Sequence, residues 1–258
     1  MRRDAPLQPV SEVFAGDLFF GLGLSHSWGG THPLSGFTGD LLAIGEISIG
    51  YGLGDRAVIM VNGPVHQRLS IDERAPASIP LDPSTNDGTA TDAGDFRIAT
   101  AFTPIGSRSG MSAGALVEVK LPNTTEQNGV GPNTTDVTLG LLGSWGGDRF
   151  RGTGLLGVAI LEAPLEDFEQ NDLVAYALDV RWRASPRLRL FAGLSGLGNT
   201  RRTVPLGTES RGSAYASGEW AAGPWRLDLG VHRGFVGDTP DWRVTAGVSW
   251  SRSSGGSP

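Results

Sequence analysis

Trp220-Ala-Ala-Gly-Pro-Trp225 runs into Arg226-Leu-Asp-Leu-Gly-Val-His232. After a short polar loop comes Asp241-Trp-Arg-Val-Thr-Ala-Gly-Val-Ser-Trp250. This stretch decides the fold. Both arms alternate apolar and polar residues, and a tight turn with tryptophan on either side joins Trp220 to Trp225. Alternation with period two gives a strand with one apolar and one polar face. Aromatic rings at the strand ends belong where hydrocarbon meets water, so the hairpin reads as part of a transmembrane β-barrel.

The composition agrees. Glycine accounts for 39 of 258 residues, hydrophobic residues for only 39%, and no apolar run is long enough for a spanning helix. A barrel needs no such run, because only alternate residues meet lipid. Cysteine is absent, which excludes disulfides and thiolate metal sites. A net charge of −6 argues against a nucleic-acid partner. Outer-membrane lipid and small solutes are the expected partners, and no cofactor is expected. An outer-membrane location calls for export, yet residues 1–10 carry no apolar signal core. The expectation is that the chain is a processed or trimmed form.

Outward from the hairpin the same pattern recurs. Strands are expected at 17–28, 40–51, 56–70, 95–104, 111–121, 134–145, 150–163, 172–182, 188–199, 209–220, 225–235 and 242–251. Pro64 is expected to bend or end the third, and the facing of the seventh is ambiguous. On the second, Leu41, Ala43, Ile47 and Ile49 are expected to share the apolar face. Connections after even-numbered strands are short and those after odd-numbered strands mostly long. That is the asymmetry of periplasmic turns and extracellular loops. Tyr51, Trp145, Phe150, Trp182, Trp220, Trp225 and Trp250 fall at the turn ends, and Trp28, Phe96, Phe235 and Trp242 at the loop ends. The expected fold is therefore an all-β, twelve-stranded antiparallel transmembrane β-barrel over 17–251. Residues 1–16 are an irregular lead-in or lumen plug, and 252–258 a flexible tail.

At its last strand the chain resembles a known family. Asp238-Thr-Pro-Asp-Trp-Arg-Val-Thr-Ala-Gly-Val-Ser-Trp250, Asp136-Val-Thr-Leu-Gly-Leu-Leu-Gly-Ser-Trp145 and Val119-Lys-Leu-Pro122 are similar to segments of the outer-membrane transporters of the phenol-degradation meta-pathway family. The resemblance spans roughly residues 95–250 and is one of strand-and-turn phrasing. It implies an outer-membrane barrel and transport of hydrophobic or aromatic compounds, and assigns no site residue. Members end on an aromatic strand residue, whereas here the chain continues past Trp250 to Pro258.

Candidate functional residues follow from strand parity. Glu46, Arg97, Glu118, Lys120, Asp179 and Arg181 are expected to point into the lumen. So are Arg183, Arg189, Arg211, Glu219, Arg226, Asp228, His232 and Arg243. Arg56, Arg183, Arg189 and Arg226 lie near the turn end, where a basic ring would favour anions. The competing expectation is that Arg–Asp and Arg–Glu pairs across the lumen brace the barrel. Asp82–Asp95 clusters oxygen ligands that suit calcium, but its spacing misses the helix–loop–helix calcium pattern, and a solvated, mobile outer loop is the simpler reading. Gly110-Met-Ser-Ala-Gly114 matches the letters of a nucleophile elbow, yet it opens a strand where the motif needs strand, turn and helix. The sequence thus points to a passive channel or transporter for small solutes, hydrophobic or anionic. Its alternatives are a closed barrel whose outer loops contact a partner or lipopolysaccharide, and, further off, a lipid hydrolase.

Overall fold

The computed structural model describes residues 16–106, 110–165 and 169–252. Most of the N-terminal lead-in and of the C-terminal tail, together with residues 107–109 and 166–168, lies outside it. The chain forms β1 (Leu18–His32), β2 (Phe37–Gly54), β3 (Ala57–Arg74), a short β4 (Thr89–Asp92), β5 (Arg97–Gly106) and β6 (Ser112–Lys120). Then follow β7 (Asp136–Gly146), β8 (Phe150–Glu162), β9 (Gln170–Arg183), β10 (Leu188–Asn199), β11 (Arg211–Ala222), β12 (Trp225–Gly237) and β13 (Trp242–Arg252). Strands pair antiparallel in chain order, with β3 against β5. The sheet closes where β13 meets β1, Phe20 against Trp250 and Trp28 against Trp242. Twelve strands thus form a closed antiparallel barrel. Closure satisfies every strand edge internally, which is what allows a sheet to lie in hydrocarbon.

The period-two pattern sets the two faces. Leu18, Phe20, Leu22 and Leu24 stand exposed on the outside of β1, while Ser25 and Ser27 are buried inside. The ambiguous β8 resolves the same way: Leu156 and Val158 face out, and Arg151, Leu155, Ala159 and Leu161 are buried. At the turn end, Phe150 pairs with Trp182, Leu188 with Trp220 and Trp225 with Trp250. The exposed rings of Tyr51, Trp145, Phe150, Trp182, Trp220 and Trp225 ring that end.

Two local features depart from simple alternation. The first is on β2. Gly23 pairs with Glu46 but Leu24 with Ile44, so Gly45 is an extra residue relative to β1. Its φ of 67° is the left-handed conformation of a glycine bulge. One extra residue reverses the parity beyond it. Ile49 faces out, as expected, but Ala43 is buried inside and Leu41 lines the interior, so the expected shared face of Leu41, Ala43, Ile47 and Ile49 is broken.

The second feature is Pro64. It neither ends nor shortens β3, which continues to Arg74. The break falls on the neighbouring chain instead. Gln67–Asp92 on β4 and Asn62–Arg97 on β5 continue a single register, with Pro64 between them. Pro64 offers its carbonyl to the Gly94 amide at 3.2 Å, so its missing N–H faces the same neighbour. The ladder lapses there, and what would be one strand becomes β4 and β5. The proline ring lies against Gly94, where any side chain would clash.

β1 to β4 rise beyond the membrane band. β2 and β3 have 18 residues each, against about 9–11 for a tilted spanning strand. Phe37, Leu69, Ala90 and Val130 form a small core outside the bilayer. The Ile71–Gly94 connection, expected as one long mobile loop, is built into this extension. Arg74 bonds the Thr85 carbonyl, Asp82 caps a 3-10 turn at Pro83–Asp87, and Asp82 N–H donates to the Gln127 carbonyl at 2.9 Å.

Candidate functional site

The barrel encloses a cavity of about 640 Å³. Its lining runs from Asp17, Arg226 and Ser251 at the turn end to Pro33, Val130 and Thr239 under the outer loops. Strand pleat alone places the lining: each strand turns alternate residues inward, and the register sets them side by side.

Glu46, Arg97, Glu118, Lys120, Asp179 and Arg181 line this cavity, as do Arg211, Glu219, Arg226, Asp228 and Arg243. His232 is buried beside Tyr215, ring centroids 5.5 Å apart. Arg56, Arg183 and Arg189 do not line it. Arg56 is exposed and bonds the Pro104 carbonyl, Arg183 is exposed at the end of β9, and Arg189 is turned onto Glu219. The four-arginine ring expected at the turn end therefore does not assemble, because only Arg226 of the four reaches the cavity.

Several lining groups were not singled out from sequence. Arg151 is buried and faces Arg181 directly across β8 and β9. Asp95 and Asp136 stand just before or at the start of a strand. Glu209 and Asp238 sit in outer loops, beyond the reach of strand parity. Among the described lining residues carboxylates outnumber Lys and Arg side chains, ten to seven.

The ion pairs of Arg97, Lys120 and Glu219 join neighbouring strands. Arg97 meets Glu118 at 2.7 Å between β5 and β6. Lys120, 5% exposed, holds Asp136 at 2.9 Å and Asp95 at 3.4 Å, and donates to Thr134 at 3.0 Å. Glu219 accepts from Arg189 on β10 and approaches Arg226 of β12 at 3.8 Å. Tyr215 donates to Asp179, Ser25 to Glu46 at 2.7 Å, and Arg243 to Ser27 at 2.9 Å. Adjacent strands lie about 5 Å apart, within reach of one side chain, whereas opposite walls do not. These pairs compensate charge along the wall.

Three loops meet above the cavity. Ser35 Oγ donates to the Gly129 carbonyl at 2.8 Å, and His32 Nδ1 lies 3.0 Å from the Val130 carbonyl. A carbonyl only accepts, so Nδ1 carries the proton there. His32 sits at the outer tip of β1, past the Trp28–Trp242 pair. Burial, with the Arg211 charge adding to it, pulls its pKa down to about 4 against the opposing Val130 hydrogen bond. In the β12–β13 loop, burial and then the Glu209 charge raise the Asp238 pKa.

Other sequence signals resolve plainly. Ser112 stands on β6 bonded to Ser144 at 2.7 Å, with no helix following it. The nucleophile-elbow context is therefore missing. No group of three or more metal-binding side chains occurs among the described residues, and Asp82 caps Ser84 at 2.8 Å.

No family model and no curated protein matches the sequence. Among solved structures the chain is similar to an outer-membrane channel from Pseudomonas putida F1, with a TM-score of 0.71 and 15% identity, covering 94% of this chain and 98% of that one. It is also similar to the KdgM porin in complex with disordered oligogalacturonate, at 0.53 and 6%, covering 92% and 99%. The translocator domain of the autotransporter NalP from Neisseria meningitidis matches at 0.51 and 12%, covering 91% and 88%. The class is thereby defined by its fold: a closed twelve-stranded barrel of the outer-membrane kind.

Proposed function

We propose that the chain is a passive channel for small solutes in a bacterial outer membrane. The observation that supports this most is the cavity, which reaches from the turn end to the outer loops, with the ion pairs of Arg97 and Lys120 lying along its wall. The exposed apolar face and the aromatic ends favour a lipid environment, so outer-membrane lipid is the first partner. The lumen residues act as pore lining, with Glu118, Lys120, Glu219 and Arg226 setting the local field. Their carboxylate excess favours neutral or cationic solutes over anionic ones. Membership of the phenol-degradation meta-pathway family belongs to the same proposal, supported by the segments around Val119, Asp136 and Asp238.

The test is conductance of the purified chain in planar bilayers. Small, steady steps with a modest preference for cations are expected. Absence of any conductance, with and without residues 1–16, rejects the open channel and leaves the closed binding barrel.

A further inference from the structure

Six arginines crowd the turn end of three neighbouring strands. Arg149 and Arg151 flank Phe150 at the start of β8, Arg181 and Arg183 close β9, and Arg187 and Arg189 lead into β10. The carboxylates on these strand ends and their turns are Asp148 and Asp179, and Glu219 faces Arg189 from β11. That leaves an excess of three positive charges in a chain whose net charge is −6. The lumen as a whole is richer in carboxylates, so the excess is local.

The register makes this crowding costly. Arg151 lies directly opposite Arg181, and Arg183 directly opposite Arg189. Cross-strand partners have Cα atoms about 5 Å apart, and like charges in such positions destabilise a sheet. Bracing sets unlike charges opposite each other, as at Lys120 and Asp136. Two arginine–arginine pairs side by side do not brace the wall, and an anion between them would relieve the repulsion.

The backbone presents the array rigidly. The Arg183 amide donates to the Arg149 carbonyl at 2.8 Å, and the Ala221 amide to the Arg187 carbonyl at 2.7 Å. Ser185 Oγ accepts the Arg187 and Leu188 amides at 3.2 and 3.0 Å. Access comes in two tiers. Arg149, Arg183 and Arg187 are exposed at the rim, whereas Arg151 and Arg181 are buried and line the cavity. Residues two apart on a strand share a face about 7 Å apart, so both tiers lie within reach of one small ligand.

We infer that this array is a binding site for a phosphate-bearing ligand at the turn-side mouth of the barrel. A guanidinium fork matches paired oxygens, and a phosphate group brings up to two charges and three acceptor oxygens where a carboxylate brings one and two. A soluble phosphate compound reaches Arg151 and Arg181 through the mouth. A lipid headgroup reaches the exposed three from the edge, where Phe150, Trp182 and Trp220 mark the interface. Binding at this site does not require the lumen to conduct.

The full chain, folded in a neutral maltoside detergent, is titrated with sodium pyrophosphate by calorimetry. In parallel, native mass spectrometry counts phosphatidylglycerol and phosphatidylcholine retained from doped micelles. Arg149→Gln with Arg183→Gln, both exposed, is expected to weaken binding by about tenfold or more, the equivalent of one charge-assisted hydrogen bond. Arg201→Gln with Arg202→Gln removes the same charge from the β10–β11 loop and is expected to change nothing. Arginine-dependent pyrophosphate binding identifies a soluble ligand, and arginine-dependent retention of phosphatidylglycerol over phosphatidylcholine identifies a headgroup. No binding of either probe, or equal weakening in the two double variants, overturns the site and leaves the channel reading untouched.

Discussion

Lys120→Met removes the most heavily shared charge in the barrel wall. Lys120 is 5% exposed and serves Asp136 at 2.9 Å and Asp95 at 3.4 Å. With an effective dielectric constant of about 20, the two attractions are each roughly 5–6 kcal/mol. Desolvation of the three ions offsets most of that. Removing one partner of a buried pair nevertheless costs about 3–5 kcal/mol, because the other charges stay behind. Here two carboxylates stay behind, Asp95 just before β5 and Asp136 at the start of β7. Asp95 keeps its hydrogen bonds from the Asn123 and Thr124 amides, which keeps the loss toward the lower figure. Urea unfolding of the lipid-reconstituted barrel, read by the gel shift between folded and unfolded forms, measures the effect. Loss of about 3 kcal/mol is expected, with most of it restored by adding Asp95→Asn and Asp136→Asn. In bilayers the single variant, with its two uncompensated carboxylates, is expected to shift toward cation preference. Unchanged stability in Lys120→Met, or a triple variant weaker than the single one, refutes the reasoning.

Three further perturbations test separate features. Gly45→Val forces a β-branched residue to the φ of 67° and sets its Cβ 3.2 Å from that of Val65. A loss of about 2 kcal/mol in the same unfolding assay is expected, and an equally stable variant removes the bulge from the account of β2. Glu219→Gln leaves Arg189 and Arg226 without their shared carboxylate charge. Reversal potentials in a salt gradient are expected to move toward anions, and an unmoved potential places this cluster outside the conduction path. His32 is neutral in the folded state, with a pKa of about 4 against an ordinary value of 6.5. The unfolded form therefore binds more protons between these values. The stability contributed by burying His32 in its neutral form is full above about 6.5 and falls as pH drops toward 4. Hydrogen exchange across 121–135, corrected for intrinsic rate, is expected to quicken between pH 7 and pH 5 in the native chain but not in His32→Gln; equal acceleration in both discards the burial of neutral His32 as the cause.

Much of this molecule is written in the sequence. Period-two alternation in segments such as Ala113–Leu121 and Val174–Trp182 specifies strands with two faces, because pleat fixes side-chain direction residue by residue. The tight turns at Gly146–Asp148 and Ala221–Pro224 and the tryptophans beside them set pairing and the membrane boundary, since both are local properties. Strand number and closure follow from these, and the hairpin from Trp220 to Trp250 already contains the rule. Tertiary structure decided what depends on neighbours. Gly45 as a bulge, and with it the inward turn of Ala43, exists only relative to β1. The effect of Pro64 falls on β4 and β5, because the missing amide is a loss to the partner strand. Arg189 and Arg226 were visible as inward charges, but that both meet Glu219 is a matter of register across three strands. The buried apolar cluster from Val58 to Ala177 is the clearest case. Each strand contributes one to three of its residues, so no single segment carries a signal, and only the paired strands bring them together.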